Sequence, residues 1–99
     1  GYSHIYLKAK GQKARALTQG QYVVSDITLG PKAQFIYYKA NKSHPGIDNV
    51  YRVEIATGKD EQLTQWQGQL DYSLSPDGKQ LLLNASTRIK PAELFVQPL

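Results

Sequence analysis

Phe35-Ile36-Tyr37-Tyr38-Lys39-Ala40 decides the fold, because the chain writes it a second time as Gln80-Leu81-Leu82-Leu83-Asn84-Ala85, 45 residues later. The words around it recur at nearly the same spacing. Ile5-Tyr6-Leu7 returns as Val50-Tyr51-Arg52-Val53, Leu17-Thr18 as Leu63-Thr64, Gly20 as Gly68, and Pro45 as Pro91. A third round opens at Leu94-Phe95-Val96. A strand-rich repeat of about 40–50 residues is the mark of a β-propeller blade, a four-stranded sheet that buries its faces against its neighbours. A closed propeller takes roughly four to eight blades. The sequence therefore predicts an all-β partial propeller of antiparallel four-stranded sheets, about two blades cut from a larger protein. The repeat units run over residues 1–47 and 48–92, with the start of a third over 93–99.

Strand signals fill both units. In the first, Ile5 to Ala9, Ala14 to Thr18, Tyr22 to Leu29 and Ala33 to Ala40 read as strands, followed by a loop from Asn41 to Asp48. In the second, Asn49 to Ala56, Glu61 to Thr64, Gln69 to Leu74 and Gln80 to Ser86 repeat the grammar, and Glu93 to Gln97 starts again. Ser75-Pro76-Asp77-Gly78-Lys79 is a turn with a mechanism: Pro76 presets φ, Asp77 tolerates the second central position, and Gly78 supplies a positive φ. The first unit has Leu29-Gly30-Pro31-Lys32 at that place. Phe35 to Tyr38 and Leu81 to Leu83 lack strict alternation, as expected of strands covered on both faces by neighbouring blades.

Composition narrows the function classes. Of 99 residues 40% are hydrophobic and seven are Tyr, a folded and β-leaning chain. Twelve basic and eight acidic residues leave a net charge of +4. The basic residues are spread out, densest from Lys8 to Arg15, and no nucleic-acid-binding module accompanies them, so a solvated strand face is expected rather than a nucleic-acid partner. The chain has no cysteine, hence no disulfide framework and no thiolate metal site. No apolar run approaches the 18 or so residues of a membrane span, and no membrane partner is expected.

The words quoted above carry a family likeness. His4-Ile5-Tyr6-Leu7, Leu17-Thr18-Gln19-Gly20-Gln21-Tyr22-Val23-Val24, the Tyr-rich strand from Phe35, Asn49-Val50-Tyr51-Arg52-Val53, Leu63-Thr64 and the Ser-Pro-Asp-Gly-Lys turn together resemble the β-propeller of dipeptidyl peptidase IV-like serine peptidases, of the prolyl oligopeptidase group. The likeness spans nearly the whole chain and points to late propeller blades. It departs at Gln69, where the family often places His or Cys. It implies a parent serine exopeptidase whose propeller walls a cavity and gates peptides toward a separate α/β-hydrolase domain of the same chain. It also favours an extracytoplasmic, bacterial periplasmic location over a cytoplasmic one. A TolB-like propeller that binds a protein or glycan is the alternative, since the Ser75–Lys79 turn fits it equally well.

No residue here is assigned a catalytic, cofactor-binding or metal-ligating role, and no cofactor is expected. In the resembled peptidases the nucleophile sits in a G-x-S-x-G elbow outside the propeller. Gly1-Tyr2-Ser3-His4 begins like that elbow but continues with Ile5. His4 and His44 are the only imidazoles, with no third ligand at a metal-binding spacing, Asp48 included. Asp77 is explained by its turn. Asp26 and Asp71 occupy equivalent places in the repeat, which points to a repeated structural hydrogen bond rather than to chemistry. Asn41-Lys42-Ser43 and Asn84-Ala85-Ser86 fit the glycosylation pattern and are read as incidental. The open blade faces predict that the isolated chain self-associates, with Glu93 to Gln97 exchanging between copies.

Overall fold

The computed structural model describes residues 5–7, 15–16, 24–44, 47–87, 89 and 92–99. Apart from one 3-10 turn over Pro31–Ala33, every regular element among them is a strand. These are β1 (Tyr6–Leu7), β2 (Arg15–Ala16), β3 (Val24–Leu29), β4 (Phe35–His44), β5 (Ile47–Glu54), β6 (Asp60–Gln62), β7 (Gln69–Leu74), β8 (Gln80–Ser86) and β9 (Glu93–Pro98). They form three antiparallel sheets in sequential order: the β1-β2 hairpin, the central sheet β3-β4-β5-β6, and the outer sheet β7-β8-β9.

The sequence period and the sheets run out of phase. The unit boundary at residue 47 falls in the β4–β5 hairpin, so the central sheet joins the last strands of one unit to the first strands of the next. That hairpin is longer than the sequence suggests. Asn41 to Asp48 reads as a loop, yet β4 runs to His44 and pairs again with Ile47 beyond a register shift after Ala40. A polar segment sustains strand here because Lys42 has a partner on β6, described below.

Registers show which positions correspond. Tyr38 faces Tyr51 across β4–β5, and Leu83 faces Phe95 across β8–β9, so β9 is the counterpart of β5. Val24 faces Ala40 as Leu70 faces Ala85. The two cores follow this correspondence. The first holds Ile5, Val24, Ile36, Tyr38, Ala40, Tyr51 and Val53, and the second holds Val50, Leu70, Leu81, Leu83 and Ala85. Ile5 belongs to the hairpin but fills the core of the central sheet, and Val50 belongs to the central sheet but fills the core of the outer one.

Strand alternation makes this possible. On β5, Tyr51 and Val53 point into their own sheet's core, while Val50, one residue out of phase, points to the next sheet. Ile36, Tyr37 and Tyr38 are consequently buried on both faces of β4, at 8%, 2% and 0% exposure. On β8 the alternation is plain, with Leu81, Leu83 and Ala85 buried and Leu82 exposed.

The connection from β6 to β7 is held by a buried polar knot. Asn49 Oδ1 accepts from Thr64 Oγ1 at 2.8 Å and from the Trp66 amide at 2.7 Å, and the Val50 amide donates to Thr64 Oγ1 at 3.0 Å. Asn49 and Thr64 are the buried polar side chains among the described residues, and both are hydrogen-bonded. A polar group buried without partners is costly, so this pairing fixes the path of the loop. Gly68 follows because a Cβ there would lie 2.2 Å from the Ser86 carbonyl oxygen, which also accepts from Trp66 Nε1 at 3.1 Å.

Candidate functional site

The densest polar chemistry lies on the seam between the central and outer sheets. It starts from a backbone irregularity. The β3–β4 register shifts between Ser25 and Thr28, and Asp26 in the bulge has φ +51°. A bulge re-aims a side chain, and Asp tolerates the left-handed region better than most residues. Asp26 Oδ2 lies 2.9 Å from Lys39 Nζ on β4. Asp71 on β7, one sequence period further on, brings Oδ1 to the same ammonium at 2.9 Å; by register its counterpart is Ser25, which faces Lys39 as Asp71 faces Asn84. Lys39 also donates to the Leu70 carbonyl at 3.1 Å.

Lys39 therefore spends all three of its N–H donors, two of them across the seam. Burial works against the ammonium, but hydrogen bonds and charge from Asp26 and Asp71 outweigh it and hold the Lys39 pKa above the ordinary lysine value. It cannot serve as a free amine near neutral pH. Tyr72 of β7 reaches back the other way, donating to the Asp26 carbonyl and meeting Thr28 Oγ1 at 3.0 Å. Burial pushes its phenol pKa upward, only partly offset by Thr28. A polar recess of about 210 Å³ opens beside the clamp, lined in part by Lys39, Asp48, Gln69 and Asp71.

A second cluster caps the central core. Tyr38 donates to Asp60 Oδ1 at 2.5 Å, and Lys42 donates to the Tyr38 hydroxyl at 2.5 Å and pairs with Asp60. The ammonium stands 5.0 Å and 4.7 Å from the ring centres of Tyr38 and Tyr51, which stack 5.6 Å apart. Burial depresses the Lys42 ammonium to about 8, while the carboxylate in contact with it favours the charged form. This cluster ties β4 to β6 across the intervening β5.

The turn residues behave as their chemistry dictates. The Gly78 amide donates to the Ser75 carbonyl at 2.9 Å with Gly78 at φ +72°. Ser75 Oγ donates to Asp77 Oδ1 at 2.6 Å and the Lys79 amide donates to the same oxygen at 3.0 Å, which holds the Asp77 carboxyl below its ordinary pKa. The turn packs on its counterpart, since a Cβ on Gly78 would sit 2.6 Å from Pro31.

Of the residues weighed from sequence, the structure brings Asp26 and Asp71 together on Lys39, which sequence reasoning did not single out. The available signal was a lone lysine in an apolar strand, between two aspartates spaced by one repeat. Asp48 is half-buried at the recess, Asn41 is half-buried on β4, and Asn84 is exposed on β8. Gly1 to His4 and most of the Lys8–Arg15 run lie outside the described residues, as does Pro45. Among the described residues no group of three or more His, Asp or Glu side chains is placed to hold a metal ion. What the described polar residues of the seam do is join strands of the central and outer sheets.

Antiparallel sheets in which the hairpin and the central sheet each insert an apolar knob into the next, with a turn recurring at one period and a lysine shared across the seam, define a segment of β-propeller. The sequence matches the dipeptidyl peptidase IV (DPP IV) N-terminal region family over residues 1–92. The chain belongs to that family, as a segment of the propeller region of a DPP IV-like peptidase.

Proposed function

We propose that this segment is the non-catalytic wall of a serine exopeptidase, enclosing a cavity and limiting entry to short peptides bound for an α/β-hydrolase domain of the same parent chain. The Lys39 clamp is the observation that supports it. A wall that screens peptides must keep its blades from parting, and Lys39 holds two adjacent sheets through Asp26, Asp71 and the Leu70 carbonyl. The family match supplies the peptidase context. Periplasmic residence fits a cysteine-free propeller of this kind.

The test uses the parent protein in which this segment occurs. A fluorophosphonate probe is expected to label one serine, and dipeptide release from short peptides is expected to exceed that from folded proteins. An intact parent that takes no label overturns the peptidase reading and leaves a binding propeller. Labelling that persists while Lys39→Met leaves the discrimination by substrate length untouched overturns the gating role alone.

A further inference from the structure

We infer that Asp77-Gly78 is a latent site of aspartate isomerisation, which the closed Ser75–Lys79 turn keeps from reacting and which is exposed to the reaction when that turn opens. Asp77-Gly78 is the one Asp-Gly pair in the sequence. Such a pair is where this chemistry runs fastest, because glycine puts no side chain beside its amide nitrogen. The first unit carries Leu29-Gly30-Pro31-Lys32 at the equivalent place and has no such pair.

The reaction needs only water. The Gly78 nitrogen attacks Asp77 Cγ and a cyclic succinimide forms. The bond from Cγ to its hydroxyl breaks, and the hydroxyl leaves with the amide proton as water. A second water then opens the ring. Attack at Cγ restores aspartate. Attack at the backbone carbonyl carbon leaves the peptide bond running through the side chain, with the main chain one carbon longer. No group is oxidised or reduced. Ring closure requires a protonated carboxyl, so that the hydroxyl can leave, and a Gly78 nitrogen able to swing toward Cγ.

The turn denies both. The Gly78 amide donates to the Ser75 carbonyl at 2.9 Å, and Pro31 Cγ lies 2.6 Å from where a Cβ on Gly78 would stand, so the nitrogen is engaged and the residue has no room to swing. Asp77 Oδ1 accepts from Ser75 Oγ at 2.6 Å and from the Lys79 amide at 3.0 Å, which fixes the carboxylate on its own turn. Ser75 is itself held: its Oγ accepts from the Gln80 amide at 3.0 Å, and its amide donates to the Gln80 carbonyl at 3.0 Å. The bonds from Ser75 and Lys79 keep the carboxyl below its ordinary pKa, so it stays ionised and lacks a leaving group. Asp77 is exposed, so these bonds protect it rather than exclusion of water. An isomerised turn has an extra main-chain carbon to fit against Pro31 and no carboxylate where Ser75 and Lys79 donate. Opening of the turn then becomes permanent. This inference concerns the turn alone and stands apart from the peptidase reading.

The test incubates the parent protein in which this segment occurs in warm neutral buffer, folded or in denaturing urea. Trypsin cuts after Lys59 and Lys79, so the peptide over residues 60–79 carries the pair, and chromatography with fragmentation separates its aspartyl and isoaspartyl forms. Isoaspartate is expected to accumulate at least about tenfold more slowly in the folded protein than in urea. Ser75→Ala, shown to be folded by circular dichroism, is expected to raise the folded-state rate about three- to tenfold and leave the rate in urea unchanged. Ser75→Thr keeps the hydroxyl and is expected to keep the wild-type rate. Equal rates in the folded and denatured wild type overturn the proposal. So does a folded Ser75→Ala protein that isomerises no faster than wild type. Where Ser75→Ala fails to fold, the comparison of folded with denatured wild type decides alone.

Discussion

The central and outer sheets are built from corresponding residues and differ in what covers them. Val50 is fully buried and its counterpart Leu94 is 83% exposed; Tyr37 is 2% exposed and its counterpart Leu82 41%. The side chains are of similar character in each pair, so the repeat sets residue type and the neighbouring sheet sets burial. The edges differ as well. β6 covers the outer side of β5, and Lys42 with Asp60 seals the stacked Tyr38 and Tyr51 beneath it. Beside β9 lies instead a cavity of about 580 Å³, bounded by Leu63, Trp66, Leu83, Phe95 and Gln97 among others. Trp66 and Phe95 meet across it at a tilted 6.1 Å, and Gln97 donates to the Leu63 carbonyl at 2.7 Å. One sheet is finished by packing, while the other presents its knobs outward.

The sharpest way to break this comparison is to truncate adjacent leucines on β8. Leu81→Ala removes a fully buried side chain and is expected to cost about 2–5 kcal/mol in a urea melt. Leu82→Ala, one residue away and exposed, is expected to cost less than about 0.5 kcal/mol at concentrations where the chain is monomeric. Equal losses would mean that the outward face is covered within a single chain.

The two turns give a smaller and opposite pair of effects. Gly78 adopts φ +72° without strain, whereas its counterpart Ala33 holds φ +51° with a side chain in the left-handed region. Ala33→Gly is expected to stabilise the chain by about 1 kcal/mol, and Gly78→Ala to destabilise it by about 1–2 kcal/mol, read as opposite shifts in the urea midpoint. A loss on Ala33→Gly would show that chain entropy outweighs the backbone strain there.

The smallest effect concerns the seam. Lys39→Met leaves Asp26 and Asp71 facing each other, but both carboxylates are largely exposed and screened, so about 0.5–1 kcal/mol is expected. Because the Lys39 pKa is raised in the folded chain, its contribution is present at all pH values below the ordinary value near 10.4 and is lost as pH rises through the raised one. The gap between wild type and Lys39→Met should therefore stay constant from neutral pH to about 10 and narrow above it. A gap that fails to narrow in alkali would show that the Lys39 charge is not what holds the seam.

Much of the fold was legible because its signals are local. Gln69 to Leu74 and Gln80 to Ser86 have the bounds that their apolar runs and the Ser75–Lys79 turn suggest. The extension of β4 to His44 was not legible, because Asn41-Lys42-Ser43 is polar and is held in strand by a contact with Asp60 eighteen residues away. The sheet boundaries were hidden for a related reason: a sequence period has no phase, and only the hydrogen-bond register shows where one sheet stops. Of the seam, the one-period spacing of Asp26 and Asp71 could be read from the sequence, while the bulge puts Ser25 rather than Asp26 in register with Asp71. Their meeting on Lys39 could not, since a one-residue register shift at Asp26 decides where that carboxylate points.

Val50 carries one more consequence. It is tied to the central sheet by hydrogen bonds and to the outer sheet by burial, so neither sheet can melt without spoiling the other. The chain then behaves as a row of coupled spins, with each interface contributing its own nearest-neighbour term. In such a row a cavity opened at one interface, as by Val50→Ala, is expected to weaken both sheets that meet there.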